Sequence, residues 1–450
     1  MRTIARRLAP AVLGAALLLP SSASATTSPA QAKAASEHAV AYLRSQQQSD
    51  GSFSGFGGEW VLSALAASGT APANVKSGTT DARSWYRSLV GNASSWPGPE
   101  AHVTDYENAA LATYAAGIDP ARVSPSQNLI AQILGRWRTA APGNYGEPAF
   151  FNGTAFALLA LAETKTRKGA QRVPQALLEP SIAAVRANQH TDGGWSFIAA
   201  AGNPEALASP AEAEFTGAAM AALCSAGVPV SDPAIVAGRE FLAADLEGDG
   251  AFAAEFGPNT DTNAWAVQGL DACGISPQGP EFTSGEGHTP IDYLIAQQLS
   301  GGGFRFESSE GSPNLYSSQD ALRALSGAGF TAAPAKTKGA PKVLYEKAFT
   351  PGQQTSVGLV VQAGSGPLSV CSVPVTANAA KIPLVVVLEE AQTASSPAGC
   401  VTALSAGKGG AITSVNGNAG TWTLSTDDGN AKTAKLKSPV HIGDTLYLHS

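Results

Sequence analysis

The chain has 450 residues, and 44% of them are hydrophobic, so two or three domains with a large core are within reach. Only 14% are charged and the net charge is -7, which leaves no basic face for a nucleic-acid backbone. Beyond the N-terminus no apolar run reaches the roughly 18 residues that a membrane span requires.

Arg2, Arg6 and Arg7 precede the short apolar run LAPAVLGAALLLP (8–20), and Ala23-Ser24-Ala25 offers small residues for cleavage. This is the pattern of a secretory signal. Residues 1–25 are read as a signal peptide and 26–34 as the flexible start of a mature protein that is secreted or held at the cell surface. A retained membrane anchor is the alternative. Four cysteines, Cys224, Cys273, Cys371 and Cys400, permit disulfides in an exported chain. Two fall before residue 330 and two after it, so pairing within domains is the simplest arrangement. Buried free thiols remain the other reading.

From residue 35 a turn motif recurs: QQSDGSF (47–53), QHTDGGW (189–195), LEGDGAF (246–252) and QLSGGGF (298–304). An apolar, helix-like segment precedes each copy, as in SIAAVRANQ. A second kind of segment is more regular: residues 59–69, 106–117, 152–164, 213–227, 262–274 and 317–329. In these, small and large apolar residues alternate at spacings of three and four, and most of them end at Gly, which supplies a left-handed helix stop. A period near 50 residues with two helices per unit signals a helical repeat array. The second helices are apolar almost all round and belong inside; the first carry charge and suit an outer layer. Six of each between residues 35 and 330 close into an (α/α)6 toroid barrel.

The motif residues then have a structural task. Gln47, Gln189 and Gln298 end outer helices and can bond backbone groups left free there. Asp50, Asp192 and Asp249 shape the turns, and Phe53, Trp195, Phe252 and Phe304 pack between hairpins.

After Phe330, the stretch TAAPAKTKGAPK (331–342) reads as a linker. The remainder, 343–450, is rich in β-branched residues with Gly, Asn and Asp at turns, and strands are expected in TSVGLVVQA, KIPLVVVLEEA, AITSVNG, GTWTLSTDD and DTLYLHS. A small β-rich domain results, which Cys371 and Cys400 could pin.

The Q-x-x-D-G-G-W/F turn followed by a small-residue helix resembles the repeat of squalene–hopene cyclases and protein prenyltransferase β-subunits, members of the α/α-toroid family. The tail resembles, more weakly, the β-domain of transcobalamin-type cobalamin carriers, through I-x-S-V-N-G, Trp422 and Gly443-Asp444. A generic immunoglobulin-like surface module is the alternative for that tail.

The family's catalytic motifs are incomplete. In NTDTNA (259–264), Asp261 matches the proton-donating acid of the cyclases, but Asn259 and Thr262 replace its partner carboxylates. A lone Asp at a helix start is expected to stay ionised as a cap. The Asp271–Cys273 pair spells the zinc pair of the prenyltransferases without its His, so no metal is expected. The acidic residues at the inner-helix starts disfavour a prenyl diphosphate.

The sequence thus predicts an exported binding protein whose small-molecule ligand sits at the barrel mouth, between toroid and β-domain. Asp105, Glu107, Asn152, Glu214, Asp261, Asn263, Trp265 and Gln319 are the candidate lining residues. The resemblance to cobalamin carriers makes a corrinoid the ligand to test. Two rivals stand beside it: a terpenoid cyclase-like or prenyltransferase-like enzyme with Asp261 as acid, and a surface adhesion module with a collapsed barrel.

Overall fold

A computed structural model describes residues 26–53, 58–166, 169–255, 257–330, 332, 334, 351–393, 400–426 and 431–450. The expected signal peptide and nearly all of the expected linker lie outside these residues. The N-terminal half alternates outer and inner helices. The outer set is α1 (Pro29–Ser45), α3 (Ala82–Val90), α5 (Leu129–Leu134), α7 (Gln175–Ala187), α10 (Pro233–Ala244) and α12 (Pro290–Ala296). The inner set is α2 (Trp60–Ala67), α4 (Val103–Ala115), α6 (Asn152–Glu163), α9 (Ala213–Ser225), α11 (Thr260–Ala272) and α13 (Leu315–Leu325). A short helix, α8 (Pro204–Leu207), lies in the loop before α9, and a small hairpin, β1 (Lys76–Ser77) and β2 (Thr80–Asp81), lies before α3.

Each inner helix packs on the next, α13 packs back on α2, and α1 packs on α13. The ring is therefore closed, and the protein is an (α/α)6 toroid. α1 begins at Pro29 with a capping box from Ser28 and Gln31, so much of the stretch expected to be flexible is helix. Outer helices α3 and α5 precede no copy of the turn motif and are not marked by it.

The outer faces are tied together by the repeat. Gln47 Nε2 donates to the carbonyls of Gly51 (2.9 Å) and Val75 (3.3 Å). Gln189 does the same to Gly193 (2.7 Å) and Ala234 (2.8 Å), and Gln298 to Gly302 (2.9 Å) and Ala35 (2.8 Å). Each Gln thus links its own turn to the start of the next hairpin, and Gln298 ties the last hairpin to the first. Asp50, Asp192 and Asp249 accept backbone N–H bonds two residues on, at 2.9, 3.1 and 3.0 Å. The backbone N–H of the aromatic residue is held by the following inner helix: Trp195 N–H by Thr216, Phe252 N–H by Asn263 and Phe304 N–H by Ser318.

The closest helix contact is between α9 and α11. A Cβ on Gly217 would collide with the backbone of Trp265 and Ala266, and one on Gly269 with Gly217 itself. The Cys224–Cys273 disulfide joins the far ends of the same two helices, and Cys371–Cys400 lies in the C-terminal domain. Each pair lies within one domain, as expected.

The C-terminal domain contains β3 (Gln353–Gln362), β4 (Ser369–Ala377), β5 (Lys381–Pro383), β6 (Leu404–Ala406), β7 (Ile412–Val415), β8 (Asn418–Ala419), β9 (Thr423–Ser425), β10 (Lys432–Thr433), β11 (Pro439–His441) and β12 (Thr445–His449). The main sheet has the order β10-β9-β12-β3-β4, with β12 and β3 parallel. One expected strand is mostly helix: α14 (Leu384–Thr393) occupies LVVVLEEAQT. Its buried Leu384, Val387, Leu388 and Ala391 recur at helical spacing, and packing on β4 overrides the β-propensity of the valines.

The two domains meet along α5, which packs on β3 and β4. Asn128 Nδ2 donates to the Ser356 carbonyl at 3.0 Å, Arg122 pairs with Asp444 at 3.0 Å, and Gly358 leaves room for Leu134. The β-domain therefore lies against the side of the barrel. No described helix is long and apolar enough to cross a membrane.

Candidate functional site

Aromatic rings from helices that are not neighbours in the ring meet inside the barrel and form a plug. Trp265 of α11 lies 5.4 Å from Phe156 of α6 and 5.3 Å from Phe330, and Phe156 lies 6.2 Å from Trp60 of α2, centroid to centroid. Edge-to-face contacts dominate, which suits the ring quadrupoles.

Above this plug, at the starts of α9, α11 and α13, opens a cup of about 1070 Å³. Phe197, Phe215, Trp265, Phe306 and Tyr316 supply apolar wall. Glu212, Glu214, Asp245, Glu255, Asp261 and Glu307 supply carboxyl groups, and no Lys, Arg or His lines it among the described residues. The sequence marked only part of this set: Glu214, Asp261 and Trp265 face the cup as expected. Phe197, Phe306 and Tyr316, with Asp245, Glu255 and Glu307, come from loops and helix starts that carry no periodic signal.

Asp261 does not cap its helix. Asn259 is the cap, its side chain accepting the Thr262 N–H at 2.8 Å. A second carboxyl group reaches the neighbourhood of Asp261 from the next inner helix. Asp320 of α13 is fully buried, forms an ion pair with Arg323, and accepts the Trp265 indole N–H at 2.7 Å. Arg323 is itself buried and lies 4.3 Å from the Trp60 ring centroid, so its charge is shared between a carboxylate and an aromatic face. Burial, reinforced by the neighbouring Asp320, pushes the Asp261 carboxyl well above the usual carboxylate range, and Ser317 and Arg323 pull it back in part. Its Oδ1 is buried and unpaired. Burial also raises Glu214, and raises Asp245 to about 6. The expected ionised cap is thus a carboxyl group that tends to keep its proton.

The remaining candidates lie elsewhere. Asn263 is buried and fully engaged: it accepts from Phe252 N–H at 3.2 Å and donates to the Pro290 carbonyl at 2.9 Å. Asp105 accepts the His102 N–H at 2.8 Å in a capping box. Glu107 and Gln319 are completely buried, each with both side-chain polar atoms unpaired, and line neither cavity described here. Asn152 lines a second cavity beside the cup. Every described residue lining the cup belongs to the toroid, and the cavity between the two domains is a smaller one of about 320 Å³, lined by Gln171, Arg172 and Pro174 on one side and Ser425, Thr426 and Tyr447 on the other.

No family model and no curated protein matches the chain. Among solved structures, a wild-type glycosidase is similar at 14% identity with a TM-score of 0.47, covering 67% of this chain and 98% of that one. The type II terpene cyclase MstE from Scytonema, in complex with geranylgeranyl dihydroxybenzoate, is similar at 14% identity and a TM-score of 0.43, covering 66% and 97%. Haptocorrin in complex with Cbi is similar at 12% identity and a TM-score of 0.38, covering 92% and 96%. The likeness is one of fold, the α/α toroid.

Proposed function

We propose that the protein is an exported binding protein that takes the donor-rich, non-anionic part of a small molecule into the acidic aromatic cup. The observation that carries this reading is the lining itself: six carboxyl groups and five aromatic rings around about 1070 Å³ with no cation among the described residues. Carboxylates accept hydrogen bonds, so they select hydroxyl, amide or ammonium donors, and the rings offer stacking area to a cyclic ligand. Export is supported by the N-terminal pattern and by two disulfides, which persist in oxidising compartments. A corrinoid held between domains has less support, because the cavity between them encloses only about 320 Å³. A collapsed adhesion module also has less support, since the cup is open.

The Trp265 indole in 15N-tryptophan-labelled protein reports on the cup. Titration with maltose and with spermidine is expected to give a saturable shift of that signal for at least one probe, lost in Asp261→Asn. No shift with either probe, or a shift that persists in the variant, contradicts the reading.

A second reading, acid catalysis, is favoured by the Asp261–Asp320 pairing. Asp261 would hold the transferable proton, while Arg323 and the Trp265 N–H offset part of the burial that raises Asp320 beside it. Incubation with squalene and a search for an isomer of unchanged mass tests it; turnover that survives Asp261→Asn removes it.

A further inference from the structure

The second cavity opens at the same end of the barrel and has the opposite chemistry. It encloses about 660 Å³ and is lined by His102, Arg136, Trp137, Arg138, Glu147 and Asn152, among others. Arg136 stands over the Tyr106 ring, 5.3 Å from its centroid, which orients the guanidinium without neutralising it. Arg138 is half-buried and has no ion-pair partner among the described residues. Glu147, the one carboxylate in the lining, lies 3.0 Å from His102 Nδ1.

An independent observation points the same way. Trp137 is only 2% exposed, and its indole N–H has no acceptor. A buried donor left unpaired carries a desolvation cost that an arriving acceptor removes. The wall is completed by the first residues of the twelve-residue helix α6, Asn152 and Gly153, whose dipole favours negative charge there. Two guanidinium groups, an orphaned indole donor and a helix start converge where acceptors are scarce.

The two cavities share Phe197, which Phe150 stacks upon at 4.8 Å. Phe197 is fixed from both sides: its N–H donates to Glu212 at 2.6 Å, and its carbonyl accepts the Phe151 N–H at 2.8 Å. A ligand lying across this ring would touch both cavities.

We propose that Arg136, Arg138 and Trp137 form an anion subsite, which takes the oxyanion group of an elongated ligand whose donor-rich body occupies the cup. The position of the body rests on the proposed function above; the anion subsite stands on its own lining. The chemistry selected is a carboxylate, sulfate or phosphate group, recognised by charge-assisted hydrogen bonds.

The two tryptophans make the halves separable in one spectrum. Full-length 15N-tryptophan-labelled protein is titrated with sodium sulfate at ionic strength held constant with sodium chloride. The Trp137 indole signal is expected to shift saturably while Trp265 stays in place. The Arg136→Gln/Arg138→Gln variant weakens that binding by about tenfold or more, the loss expected of a charged hydrogen bond; Arg138→Gln alone serves if the double variant does not fold. Glucuronate is then expected to move both signals, and maltose only Trp265. Sulfate that leaves Trp137 unmoved, or moves it equally in the arginine variants, overturns the subsite. A sulfate response without any Trp265 response to maltose, spermidine or glucuronate keeps the subsite and overturns the cup reading instead.

Discussion

Two rings of polar residues stand at the same end of this barrel, and they behave differently. In the outer ring, between neighbouring hairpins, Gln47, Gln189 and Gln298 each donate to two backbone carbonyls, and Asn263 both donates and accepts. In the inner ring, around the cup, the Asp261 Oδ1 is buried without a partner and Glu214 is pushed towards its protonated form by burial. Buried polar groups are normally paired, so the outer ring is what folding requires and the inner ring is what folding leaves available. Repetition marks the first and irregularity the second.

Substitutions on the two sides should separate cleanly. Trp195→Ala has the largest expected effect. The ring is fully buried and its indole N–H donates to the Val185 carbonyl at 2.8 Å, so a loss of about 3–5 kcal/mol is expected in urea unfolding. A loss under about 1 kcal/mol would deny the outer ring its structural role.

Asp271 is an unpaired acid outside both rings, at the far end of α11, and burial raises it from 3.8 to about 7. Between those values the folded protein holds a proton that the unfolded chain has released. Stability should therefore fall as pH rises from about 4 to 7, and Asp271→Asn should flatten that fall by on the order of 2 kcal/mol. An unchanged pH profile in the variant would show that the burial is relieved in solution.

Gln189→Ala removes two bonds to backbone carbonyls and is expected to cost about 1–3 kcal/mol. Gln298→Ala should match it, because it breaks the tie between last and first hairpins. Asp261→Asn is expected to change stability by less than about 1 kcal/mol, since it removes no good hydrogen bond and no obligatory charge. A cost as large as that of Gln189→Ala would erase the distinction between the rings.

The same distinction explains what could be read from the chain. The inner helices show as alternating small and large apolar residues that end mostly at Gly, and the ring follows from their number. α3 and α5 escaped because no turn motif follows them, and α14 because a run of valines spells strand until its packing face is known. For the site, Glu214, Asp261 and Trp265 were legible as polar or aromatic residues on otherwise apolar helices. Asp320 was visible only as one acid among several at the helix starts. Its pairing beside Asp261 depends on adjacent helices meeting after closure, which no local spacing encodes. Arg136 and Arg138 lie in an irregular loop between α5 and α6, and only the closed ring brings that loop beside the cup.

Non-denaturing mass spectrometry of the protein recovered from the medium of cells that export it tests the central claim most directly. The account predicts a discrete added mass on the wild-type chain that is absent from Asp261→Asn, with both proteins equally folded. A bare chain mass in both, or an added mass that survives the substitution, would contradict a ligand site in the cup.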